Sequence, residues 1–220
     1  MLFRYGIGFG LELVSPPLNE TEMTRQLKIV CKVLDQIGAK VDRTCGLHVH
    51  HHIDDFTVSN VKNIYKLYEK HQLAIEAILP KSRRGAMNPR YCKGIDRAVM
   101  RRVLYSDTIQ EISRSLDRYY TINMQAYVKY GTVEFRQHSG TIDFTKIMNW
   151  IKITQAIVAT AKRKKDIKPL SESAKKSAWT REIAMIKELG LSETEQSAYF
   201  IDRKQAFKEL NKQAYSRAAV

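Results

Sequence analysis

The sequence predicts an α+β domain, an antiparallel sheet with helices packed on one face, followed by a basic helical extension. Three observations carry that expectation. Cys45-Gly46-Leu47-His48-Val49-His50-His51-His52-Ile53 and Thr132-Val133-Glu134-Phe135-Arg136-Gln137-His138 both read as strands whose side chains alternate between two faces. Around them, apolar residues recur at three- and four-residue spacing, the stripe of helices that cover a sheet. A short Gly-containing connection, Lys129-Tyr130-Gly131, sits between two strand-like stretches and predicts an antiparallel hairpin.

Taken in order, Phe9 to Pro17 reads as a short strand stopped by Pro16 and Pro17, with Glu12 between apolar neighbours. Glu20 to Ile37 is a helix carrying Met23, Leu27, Val30, Leu34 and Ile37, with Gly38 as its stop. Lys40 to Asp42 reads as a short strand ahead of the histidine strand. In the latter, His48, His50 and His52 share one face, and Leu47, Val49, His51 and Ile53 the other. Val58 to Leu79 is a helix ended by Pro80, and Lys81 to Asp96 is a basic loop with Arg83, Arg84, Arg90 and Lys93.

A short helix, Thr108 to Leu116, precedes the two hairpin strands, Tyr120–Val128 and Thr132–His138. On the first, Thr121, Asn123 and Gln125 form the polar face. On the second, Glu134, Arg136 and His138 face one way and Val133, Phe135 and Gln137 the other. Asp143 caps a helix with a wide apolar stripe from Phe144 to Ala161. From Lys162 the composition turns basic, with weaker helical patterns at 173–189 and 192–210. The expected division is a domain over 1–165, holding all the core elements, and an extension over 166–220.

The chain has 220 residues, enough for one domain with a real core. No apolar run approaches the roughly 18 residues of a membrane-crossing helix, and the N-terminus lacks the pattern of a secretory leader. Three cysteines without paired spacing imply no disulfide framework, so a reducing cytoplasm is expected. The net charge of +14 favours phosphate-rich ligands and non-specific nucleic acid contact.

Two strands presenting His, Glu and Arg on their polar faces point to a metal- and phosphate-handling site on a sheet. The same residues also fit a solvated sheet face with an ordinary cross-strand charge pair.

Four stretches in this order resemble the amidoligase family, within the glutamine synthetase and glutamate–cysteine ligase superfamily. They are Gly10-Leu11-Glu12-Leu13-Val14-Ser15-Pro16-Pro17-Leu18, Cys45 to His50, the loop from Ser82-Arg83-Arg84 to Tyr91-Cys92, and Thr132 to Arg136 with Gly140-Thr141. The resemblance covers Phe9 to Lys162. It implies a curved antiparallel sheet like that of the glutamine synthetase catalytic domain, and an amide- or peptide-bond-forming ligase that uses ATP and Mg²⁺. Such a ligase moves the γ-phosphoryl group of ATP onto a carboxylate, and an amine then attacks the acyl-phosphate.

By that resemblance Glu12, His48 and Glu134 are metal ligands, and His50 lies on the nucleotide or phosphate side. Arg136 holds the transferring phosphoryl group and, with Glu134, is catalytic. Arg83 and Arg84 bind phosphate or the acceptor carboxylate, and Asn123 supplies polar contacts to the cofactor. One departure is visible: the family's opening G-x-E-x-E strand has no match ahead of Glu12, where Gly10-x-Glu12 is followed by Val14. That departure opens a second expectation, a catalytically impaired binding protein of the same fold, associated with nucleic acid through its basic tail. A third is a transition-metal site on His48, His50 and His52, since imidazole suits Zn²⁺ better than Mg²⁺.

Overall fold

The computed structural model describes residues 2–5, 9–85 and 90–218. Strands β3 (Gly46–His52), β4 (Ile122–Asn123) and β5 (Thr132–Ser139) form one antiparallel sheet in the order β3-β5-β4. Strands β1 (Leu2–Tyr5) and β2 (Phe9–Glu12) pair with each other as a separate antiparallel ribbon. Helices α1 (Glu20–Gln36), α2 (Val58–Glu76), α3 (Arg97–Tyr105), α4 (Ile109–Ser115), α5 (Gln125–Tyr130), α6 (Phe144–Arg163), α7 (Glu172–Lys175), α8 (Ala178–Glu188) and α9 (Glu195–Ala218) complete the chain. Mixed helix and antiparallel sheet is what the alternation and the stripes predict.

Local chemistry sets the helix starts. The Thr57 and Asn60 side chains form a reciprocal cap on α2, and the Asp143 carboxylate accepts the Lys146 N–H at the start of α6. The other end of α6 is closed from α2: buried Asn63 donates to the carbonyls of Ala161 (3.3 Å) and Lys164 (2.8 Å), groups the helix itself leaves unpaired.

The core lies between the sheet and the pair α2 and α6. Leu47, Val49, Ile53, Ile122, Val133 and Phe135 come from the strands. Ile64, Tyr65, Leu67, Tyr68 and Ile75 come from α2, and Ile147, Trp150, Ile153 and Ile157 from α6. Each such side chain contributes about 1.5–3 kcal/mol by leaving water. His51 belongs to this layer as its alternation predicts: its Nε2 meets Thr154 Oγ1 at 2.8 Å and its ring packs on Phe135. Burial holds the imidazole down to about 4, so it is neutral at physiological pH.

Three local expectations are corrected. Residues 40–42 form no strand. The stretch expected as strand from Tyr120 to Val128 is a strand only at Ile122–Asn123, with a single bridge from Tyr120 to Lys93 ahead of it, and then turns into α5. There the Asn123 side chain accepts the Gln125 N–H at 2.9 Å, and Gly131, at φ 63°, ends the helix. His138 does not share the face of Glu134 and Arg136. A β-bulge sets Leu47 opposite His138 and Val49 opposite Phe135, so Arg136 and Gln137 together oppose His48. The extra residue turns His138 into the helix layer, where its ring lies 5.2 Å from Trp150.

The core also runs past Lys165. Ile167, Met185, Leu189, Leu191 and Phe200 belong to the same buried cluster. Among the described residues no helix is long and apolar enough to cross a membrane.

Candidate functional site

Register alone gathers the site. Glu134 stands on the central strand β5, directly opposite His50 on β3 and Asn123 on β4. Two residues further along β5, Arg136 falls on the same face. The bulge brings His48 within reach of the same carboxylate. Glu134 is therefore a hub, with Arg136 Nη1 donating to Oε1 at 2.6 Å and Asn123 Nδ2 to Oε2 at 2.5 Å. His48 Nδ1 lies 3.1 Å from Oε1, and His50 Nε2 3.7 Å from it.

Burial alone would push the Glu134 carboxyl up, but His48, Arg136 and Asn123 outweigh it and hold it down to about 2. It is a carboxylate at any physiological pH. His50 forms the open edge, with its side chain 39% exposed and its Nδ1 2.9 Å from Thr132 Oγ1. Burial lowers its pKa first of all, against the opposing charge of Glu134. His52 shares the face but pairs with Asp54 in solvent, at 2.9 Å.

Gly46 leaves room where the strand enters the site. A Cβ there would stand 3.0 Å from His48 Nε2 and 3.2 Å from Arg83 Nη1. Arg83 is buried, its Nη2 donates to the Cys45 carbonyl, and it and His48 lie on either side of the space above Gly46. Arg84 is spent elsewhere: Nε and Nη2 both donate to the Leu79 carbonyl at 3.2 Å, beyond the end of α2. Glu12 is exposed at the end of β2, on the separate ribbon, and its charge is felt at His50. The structure thus brings Glu134, Arg136, His48, Asn123 and His50 together, sets Arg83 beside them and Glu12 within electrostatic reach, and engages Arg84 on backbone.

Sequence reasoning passed over Thr132, which orients His50. Its signal was its place on β5, two residues before Glu134 and so on the same face. The alternation places Gln137 only as facing away from the site. It joins Tyr68 on α2, and its Nε2 donates to Glu76 at 3.4 Å, fixing β5 to the helix behind it. Nothing in the alternation distinguishes that role from ordinary core.

The donor set can be tested against Mg²⁺. Among the described residues no three His, Cys, Asp or Glu side chains converge as a cage. Mg²⁺ does not require one, because it is commonly held by one or two carboxylates together with phosphate oxygens and water. Glu134 is an ionised carboxylate in reach of solvent through His50. Arg136 keeps a buried Nε–H with no partner among the described residues. An orphaned guanidinium donor beside a fixed carboxylate suits a phosphate oxygen next to a cation. The residues fit a metal that arrives with phosphate.

A sheet face that carries an ionised carboxylate, a paired arginine and two imidazoles defines a class of protein that handles charged groups. The profile described as "Putative amidoligase enzyme" matches residues 6–158, and the chain belongs to this amidoligase family. It is thereby placed with ligase-type enzymes. No curated protein and no solved structure matched in the same comparisons.

Proposed function

We propose that the chain is a ligase that joins a carboxylate to an amine at the expense of ATP, through an acyl-phosphate. The observation that carries the reading is the Glu134 hub, in which a carboxylate held ionised and a guanidinium with an unspent donor share one rigid strand face. In this reading the three-stranded sheet is the central part of a curved sheet of the glutamine synthetase kind. Glu134 and Glu12 hold Mg²⁺, with His48 beside them; when bound, the ion screens phosphate charge during transfer.

Arg136 grips the transferring phosphoryl oxygens with Nε and Nη, the fork geometry that lysine cannot supply. To do so it exchanges Glu134 for phosphate, while Asn123 and His48 keep the carboxylate in place. His50, at the open edge, contacts the nucleotide phosphates. Arg83, held on the Cys45 carbonyl, adds positive charge near His48, and Arg84 acts through the fold. The buried free thiols Cys31, Cys45 and Cys92 are in keeping with a reducing cytoplasm as the setting.

The second reading, a binding protein of the same fold that uses its basic surface on nucleic acid, is favoured by the same hub. Both Glu134 oxygens already have donors, and a protein that never exchanges them would be catalytically silent. The experiment is a screen of Mg²⁺-dependent ATP hydrolysis against pools of carboxylic acids and amines. ADP release that requires both an acid and an amine supports the ligase. No Mg²⁺-ATP binding, together with Mg²⁺-independent retention of nucleic acid, would favour the second reading.

A further inference from the structure

Beside β4 the chain builds a second cationic surface. Lys93 bridges in parallel to residues 119–121 just before β4: its N–H donates to the Tyr119 carbonyl at 2.8 Å and Thr121 N–H donates to the Lys93 carbonyl at 2.9 Å. Tyr119 and Thr121 occupy the alternate positions that lead to Asn123, the residue bonded to Glu134. At this edge four side chains form a ladder. Arg90 Cζ lies 5.1 Å over the Tyr91 ring, the Tyr91 and Tyr119 rings meet edge to face at 6.2 Å, and Arg118 Cζ lies 5.2 Å over Tyr119.

Arg118 is exposed and fixed in this posture, its Nη2 donating to Tyr119 Oη at 3.3 Å. No carboxylate of the described residues pairs with it, because the neighbouring Asp117 is held by Lys93 at 2.6 Å. The Glu134 charge is nevertheless felt at Arg118, which places the ladder at the margin of the site.

A single reacting carboxylate needs the cations already around Glu134. A stacked guanidinium beyond them, that of Arg118, is an anchor for a further anionic group, since stacking on the Tyr119 ring positions the fork while leaving N–H edges to bind. A nucleobase wants an open ring face. Here Arg90 and Arg118 each cover one, and the two tyrosines meet each other. Carboxylates on an extended chain suit this surface better than bases do.

We propose that the Arg90–Tyr91–Tyr119–Arg118 ladder is a substrate subsite for an extended acidic chain, a peptide or oligomer with several carboxylates, one of which it delivers beside Glu134 and Arg136. The inference rests on the ligase reading for what becomes of that carboxylate, and on the ladder alone for the binding.

The test is fluorescence anisotropy on the full chain with three labelled probes: a short oligoglutamate peptide, its oligoglutamine analogue and a short oligothymidylate. Oligoglutamate is expected to bind and to lose roughly tenfold in affinity in Arg118→Gln, with part recovered in Arg118→Lys. Tyr119→Leu, which removes the stacking platform, should weaken the same probe, and thermal melts check that each variant is folded. Equal oligoglutamate affinity in the native chain and in folded Arg118→Gln overturns the proposal, as does oligoglutamine binding as tightly as oligoglutamate. Tighter oligothymidylate binding that depends on Arg118 overturns it in favour of a nucleic acid surface. A parallel Mg²⁺-ATP titration of the unaltered chain reports on the ligase reading separately, so that failure of either idea is seen by itself.

Discussion

Two glutamates in this molecule are built alike and used differently. Glu134 and Glu188 are both largely buried, and both have carboxyls held well below the ordinary range by neighbouring donors despite their burial. Glu188, on α8, takes His71 Nε2 at 2.8 Å and Lys70 at 2.7 Å from α2, and Lys164 at 2.8 Å from just beyond α6. Its partners come from separate helices, so the cluster is a clamp that fastens the C-terminal helices to the core. Glu134 takes its partners from three adjoining strands of one sheet face.

The leftover groups differ too. His71, buried and with a depressed pKa, leaves a bare Nδ1 lone pair when its Nε2–H is on Glu188. Arg136 leaves a charged N–H, which cannot be discarded by deprotonation. The first cluster is complete as a structural joint, whereas the second holds a donor in reserve.

The largest separation between them should appear in stability. Glu188→Gln leaves two lysines without their counter-charge at a packed joint and is expected to cost about 3 kcal/mol, with Mg²⁺-ATP affinity unchanged. Urea unfolding and calorimetric titration on the same preparation check both halves. A stable variant would mean that α8 is held by its apolar contacts alone.

Acid should reveal the Glu134 side of the comparison. Its folded pKa of about 2 lies below the ordinary 4.5, so its stabilising share is fully present above pH 4.5 and is lost as pH falls toward 2. That fall corresponds to about 3 kcal/mol at most. His51 and His138, both held near 4 by burial, add an earlier loss as pH falls from 6.5 toward 4. Denaturant unfolding from pH 7 to pH 3 should therefore show stability declining in two stages, with the lower stage reduced in Glu134→Gln to the share that Glu188, lowered in the same way, still contributes.

Arg136→Lys sharpens the catalytic half. It keeps the charge and loses the fork, so turnover should fall roughly a hundredfold, about 2.7 kcal/mol, with nucleotide affinity largely kept. Turnover that survives the change would reduce Arg136 to a charge partner of Glu134. The smallest effect is expected from Gly46→Ala. Its new methyl group must displace His48 or Arg83, at about 1 kcal/mol of stability and with a weaker hold on Glu134. Tight nucleotide binding in that variant would show that His48 has room to spare.

What the sequence made legible was whatever period 2 or period 3.6 carries. The faces of β3, the pairing of Glu134 with Arg136 and the long helices α1, α2 and α6 all follow from spacing. The bulge does not, because no residue in Arg136-Gln137 announces it, and it alone decides that His138 packs on Trp150. The helical turn in α5 was hidden behind a strand-like run, since the Asn123 side-chain bond that starts it is a local competitor to pairing. The role of Arg84 depends on the fold of residues 79–84. The core beyond Lys165 escaped notice because Ile167, Met185 and Phe200 are scattered among lysines and arginines, with no long stripe to mark them.

Calorimetric titration of Mg²⁺-ATP into Glu134→Gln beside the native chain shows whether the Glu134 carboxylate, whatever it adds to stability, binds a ligand. The substitution keeps shape and removes the anion, and its one amide oxygen can still accept from Asn123 or Arg136, though not from both as the two carboxylate oxygens do. The expected result is a folded variant whose Mg²⁺-dependent nucleotide binding has largely gone. A folded variant that binds Mg²⁺-ATP as tightly as the native chain would contradict it.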